Sequence, residues 1–233
     1  MMFGEHQPPR AIPSSSLLQL PFELRLQIYS YLIPQNRLVC VSSPTFRLPN
    51  HFSNDAQAWV IYADTSKTDA NKHNNSILIL SKQISTEALG ILYGNNIFKL
   101  ELNERGERRL KAKFVESNRR RISHIMLNIT KDMPRHGAHI DAEFWAVFLP
   151  QLSSLQIVAI GSYRNRELSF HQRHRNKIWA AWVSAHLECL GSHINGETVV
   201  KVDDDGCVQL KQLFRKYLPE GYREEKCCIM GSK

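Results

Sequence analysis

The hydrophobic pattern of this chain starts late. Residues 1–15 are polar, hold Pro8, Pro9 and Pro13, and are expected to be disordered. Apolar positions then recur at helical spacing from Leu20 to Ile33. Pro21 suits a first helical turn, Glu23 lies against the positive helix end, and Pro34 is the stop. Residues 35–75 lose the period. Two strand-like runs, NRLVCVSS and AWVIYAD, sit among Pro44, Pro49 and the polar run DTSKTDANKHNNS, which reads as an irregular insertion with a loop over Thr65 to Asn75. Helical spacing returns in SILILSKQISTEALGILYG through Ile77, Leu80, Ile84, Ala88 and Leu92, and Gly94-Asn95-Asn96, residues that tolerate left-handed geometry, should end it. NIFKLEL alternates as a strand, and ERRLKAKFVESNRRR reads as a basic helix or helix end.

From there strands and helices take turns. SHIMLNI, SSLQIVAIG and ETVVKVDDDG read as strands. DAEFWAVFLPQL is helical with Asp141 as its cap. RNKIWAAWVSAHLECLG is helical, with Ile178, Trp182 and Leu190 inward and Gly191 as its stop, and CVQLKQLFRKYLPEG is the last helix. This alternation predicts right-handed crossovers and a parallel or mixed sheet. FLPQLSSLQIVAI is similar to the helix-to-strand passage of leucine-rich repeats, without a regular period. The expected fold class is α+β: N-terminal helices with an insertion, then irregular, leucine-rich-repeat-like strands and helices.

The helix after Pro21 has an unusual wheel. At about 100° per residue, Phe22, Leu26, Tyr29 and Ile33 gather within roughly 60°. Leu20, Leu24, Ile28, Tyr31 and Leu32 gather on the other side, with Glu23, Gln27 and Ser30 in one seam and Arg25 in the other. An ordinary surface helix has one apolar stripe. Either this helix is sandwiched inside its own domain, or one stripe packs inward and the other is left for a partner. In the second case Leu20, Pro21, Leu24, Ile28 and Leu32 are the partner-facing set. Each large side chain then buried would contribute about 1.5–3 kcal/mol before association costs.

These residues also carry a resemblance. LLQLPFELRLQIYSYLIP resembles the opening of an F-box, and more closely the F-box-like domain of fungal proteins, through Leu20, Pro21, Glu23, Leu24, Arg25, Ile28, Tyr29 and Leu32. A second half follows the insertion: Leu78, Leu80, Lys82, Gln83, Ile84, Glu87, Ala88, Leu92, Tyr93, Gly94, Asn96 and Phe98. The resemblance covers about Leu17 to Leu102. It implies an adaptor whose first helices bind the Skp-type linker of a cullin–RING ubiquitin ligase, while the rest of the chain holds a substrate protein. Ser81-Lys82-Gln83 stands where the family usually has Cys-Arg-Gln, and the insertion separates the two halves.

Composition narrows the alternatives. Hydrophobic residues make up 42% and charged residues 22% of the 233, as in globular domains. No apolar run reaches the roughly 20 residues of a membrane helix, and the N-terminus lacks a signal-peptide core. An intracellular protein, cytoplasmic or nuclear, is expected, with no membrane partner. Cys40, Cys189, Cys207, Cys227 and Cys228 form no C-x-x-C pair, which argues against a disulfide scaffold or structural zinc. Cys227-Cys228-Ile229-Met230 has the form of a prenylation box, but Gly231-Ser232-Lys233 follow and block it.

The net charge of +8 points to an alternative partner. Two basic runs offer Arg119, Arg120, Arg121, Arg173, Arg175 and Lys177 as anion contacts, with Tyr163 and Phe170 able to stack on bases. Nucleic acid or an acidic protein would be the ligand, with the N-terminal helices purely structural. Glu107, Glu116 and Glu167 dilute this charge. His136 with His139, and His171 with His174, are spaced as pairs, but only Asp141 stands near as a further ligand, so solvated histidines are expected. VDDDG reads as a turn. No nucleophile motif, phosphate loop or dinucleotide fingerprint is present, so no enzyme, metal or cofactor is expected. The expected organisation is a disordered 1–15, an F-box-like module over 16–102 with insertion 35–75, a repeat-like α/β region over 103–221, and a flexible 222–233.

Overall fold

A computed structural model describes residues 16–41, 75–130, 140–160 and 170–225. Six strands form one sheet: β1 (Leu38–Cys40), β2 (Ile97–Glu101), β3 (His124–Thr130), β4 (Ser154–Ile160), β5 (Val199–Asp203) and β6 (Arg223–Glu224). Their spatial order is their chain order, and every neighbouring pair is parallel. Sequential parallel strands with crossovers of one hand place every crossover helix on the same side. The fold is therefore α+β and repeat-like, a row of strands backed by a row of helices. The parallel alternative of the sequence reading holds.

The helices are α1 (Phe22–Leu32), α2 (Lys82–Gly94), α3 (Glu104–Lys113), α4 (Glu116–Arg119), α5 (Ala142–Phe148), α6 (Phe170–His193) and α7 (Val208–Tyr217). Short 3-10 turns precede α1 (Ser16–Gln19) and α2 (Asn75–Ile79). The core lies between sheet and helices. Val39, Phe98, Ile125, Leu155 and Val200 form one in-register row, and Leu100, Leu127, Ile157 and Val202 the next; all are buried in one cluster with the helix side chains. Alternate residues such as Lys99, Gln156 and Lys201 point to the other face and stand outside that cluster. Tyr93, Phe98 and Phe114 pack as a trio of rings with centroids 5.6–5.8 Å apart. Trp145, Trp179 and Trp182 are buried, as helix-face core residues should be. The boundary expected after residue 102 falls between β2 and α3, within one continuous sheet and core.

Several expected details differ. SILIL is not the first turn of α2. Ser81 is extended and its side chain accepts from the Ile84 N–H, capping a helix that starts at Lys82. Ile77 and Leu78 are buried in the preceding turn, but Leu80 points outward. The expected stop at Gly94-Asn95 holds, with Asn95 at φ −107° and no left-handed geometry needed. The basic helix is two helices, because Phe114 and Val115 are extended between α3 and α4. Ile178 is half exposed, not core, while Trp182 and Leu190 are buried. Gly191 does not stop α6, which runs to His193. A Cβ there would lie 1.8 Å from the Tyr217 carbonyl oxygen, so glycine is required by the close approach of α7 to α6. Asp203, Asp204 and Asp205 form a turn as expected, with Asp205 and Gly206 at positive φ. The AWVIYAD run, His136, His139 and the Cys227-Cys228 box lie outside the described residues.

Candidate interaction surface

α1 is anchored by its polar side chains. Arg25, which the wheel put in a seam, is buried. Its guanidinium donates to both Glu87 carboxylate oxygens, Nε to Oε2 at 2.9 Å and Nη2 to Oε1 at 2.7 Å, and Nη1 donates to the Leu20 carbonyl at 2.6 Å. The Tyr29 hydroxyl donates to Glu87 Oε2 at 2.9 Å, and Gln83 reaches Oε1 at 3.0 Å. The planar fork fits the carboxylate, and each charge removed from water has its partner. The Arg25 hydrogen bond is the main cause that holds the Glu87 carboxyl down at about 2. Burial, followed by the bond to Glu87, pushes the Tyr29 hydroxyl above its ordinary value.

A second polar junction sits at the other end of the pair. Asn96 is fully buried. Its amide donates to the Pro34 carbonyl at 2.8 Å and to the Leu92 carbonyl at 2.7 Å, and its carbonyl accepts from the Arg37 N–H at 2.9 Å. One side chain thus ties the end of α1, the end of α2 and the entry to β1. Arg25 meets Glu87 and Pro34 meets Asn96, so α1 and α2 advance in the same direction. The two halves of the sequence motif are held together by their own polar residues, across residues 42–74.

This packing turns the other side of α1 outward. Leu24 is 44% exposed, Leu32 41%, and Tyr31 87%. Pro21 is exposed, and Leu20 and Ile28 are intermediate. Leu24 and Leu32 of the expected partner-facing set are thus exposed on α1, Pro21 is exposed just before it, and Leu20 and Ile28 are partly covered. The inward set differs from the wheel. Tyr29 and Ile33 are buried and Leu26 packs partly against the core, but Phe22 is 47% exposed, with the Arg25 guanidinium 5.6 Å from its ring centre. Arg25 takes the inward place instead. Periodicity alone could not assign it, because its partner is Glu87.

The basic residues are less available. Arg119 donates to the Lys111 and Phe114 carbonyls at 3.1 and 2.7 Å, satisfying the end of α3, and lies 5.9 Å from the Phe144 ring centre. Arg120 pairs with Glu116, and Arg121 donates to Asn118 at 3.2 Å. Arg173 and Arg175 belong to α6, where Lys177 is exposed. Asp141 caps α5 and pairs with Lys111, and Glu107 accepts from Lys111 at 2.8 Å and from the Trp145 indole at 3.1 Å. Burial opposes the Lys111 charge, but the Asp141 and Glu107 hydrogen bonds outweigh it and raise its pKa. His186 is buried with Nδ1 2.9 Å from the Trp182 carbonyl, and burial lowers its pKa. Among the described residues, no group of three His, Cys, Asp or Glu side chains could hold a metal ion, and no helix is long and apolar enough to cross a membrane.

Fold and surface together define a repeat-like α+β protein whose first helix leaves apolar side chains exposed. The chain belongs to the DUF7730 family, a domain of unknown function, which matches residues 10–136. That stretch includes α1, α2, the Arg25–Glu87–Tyr29 contact and Asn96. No curated protein and no solved structure matches.

Proposed function

We propose that this protein is a non-catalytic interaction adaptor that docks a partner on the outward stripe of α1. The observation that carries the reading is the orientation of α1: Arg25 and Tyr29 are fixed inward on Glu87, and Leu24 and Leu32 are left outward with Pro21 beside them. A helix sandwiched between layers would have both stripes covered. The resemblance to fungal F-box-like domains suggests the partner, a Skp-type linker of a cullin–RING ubiquitin ligase. On that reading the strand-and-helix region beyond β2 holds the substrate protein.

The test is co-purification with a Skp-type linker at moderate salt, followed by size exclusion. Wild type should form a stoichiometric complex. Leu24→Ala with Ile28→Ala should abolish it while circular dichroism and the unfolding midpoint stay near wild type. Global unfolding of the double variant would point to α1 as a buried structural helix, and a folded wild type that binds no linker would sink the linker assignment.

A further inference from the structure

We draw no further inference here: the strongest candidate, the cleft at the C-terminal ends of β5 and β6 that Asp203, Asp204, Glu224 and Glu225 line over Val202 and Phe214, is an acidic cluster already partnered by Lys211 on Glu224 and Lys201 on Glu225, and among the described residues no buried, unpartnered polar group lines it to point to a ligand.

Discussion

The two ends of this strand-and-helix row are built as inversions of one another. At the N-terminal end, charge and amide groups turn inward: Arg25 and Asn96 are buried, with Glu87 paired to Arg25, while Leu24, Tyr31 and Leu32 face out. At the C-terminal end the order is reversed. Leu210, Phe214 and Leu218 are buried, and Arg215, Lys216 and the pairs Lys211–Glu224 and Lys201–Glu225 lie at the surface. A stacked array needs a polar outer face on its terminal units to remain soluble. The C-terminal unit has one, with Val199 and Val208 as exposed apolar exceptions. The N-terminal unit has polar residues enough, but spends them on fixing α1. An outward apolar stripe there is a consequence of placement, not of a shortage of polar side chains.

The largest effect expected from breaking this contrast is at Asn96. Asn96→Ala removes three hydrogen bonds at a fully buried side chain, and leaves the Arg37 N–H and two carbonyls without that partner. The loss should be about 3 kcal/mol, at about 1 kcal/mol or more for each unmade buried bond. Urea unfolding measures it, and a change under about 1 kcal/mol would mean that the junction is not what holds α1 to α2.

Acid unfolding probes the other anchor. The folded Glu87 carboxyl lies at about 2, below its usual 4.5. A depressed carboxyl contributes stability that is complete above the unfolded value and fades as pH falls through the folded one. Wild type should therefore lose stability between pH 4.5 and about 2 through this group. Glu87→Gln should be less stable at neutral pH, and its midpoint should converge on wild type as pH drops across that window. Parallel midpoint-versus-pH curves for the two chains would show that Glu87 is not held by Arg25 in solution.

What the sequence disclosed follows the range of the interactions involved. The alternation of SHIMLNI and the apolar run SSLQIVAIG are local, and they located β3 and β4. The Asp141 cap is local too, and it caps α5. The errors lie where a distant partner decides. Arg25 turns inward because Glu87 is waiting there, while Phe22, in the first turn, is half exposed. Leu80 fits the helical period but lies before the Ser81 cap, so the spacing that made it core belonged to no helix. Gly191 looked like a stop because its need is a carbonyl of α7, more than twenty positions away in the chain, at about the closest approach a backbone allows. The two apolar stripes of α1 were legible because on one short helix they are a local pattern. The exposure of Ile79 and Leu80 was not, because it depends on where α2 begins.

The smallest effect should come from the C-terminal polar pairs, and it completes the comparison. Lys211 Nζ lies 2.6 Å from a Glu224 oxygen, with both side chains more than a third exposed. A pair in that setting gains little, because water screens the attraction and two long side chains are immobilised. A double-mutant cycle with Lys211→Ala and Glu224→Ala should give a coupling under about 0.5 kcal/mol, and it should vanish at high salt as the Debye length shrinks to about 3 Å. A single buried contact of Asn96, at about 1 kcal/mol, then outweighs this surface pair by about twofold or more. A coupling near that of Asn96 would mean that the C-terminal charges hold the last helix in place and do not only cover it, and the inversion between the ends would be one of position alone.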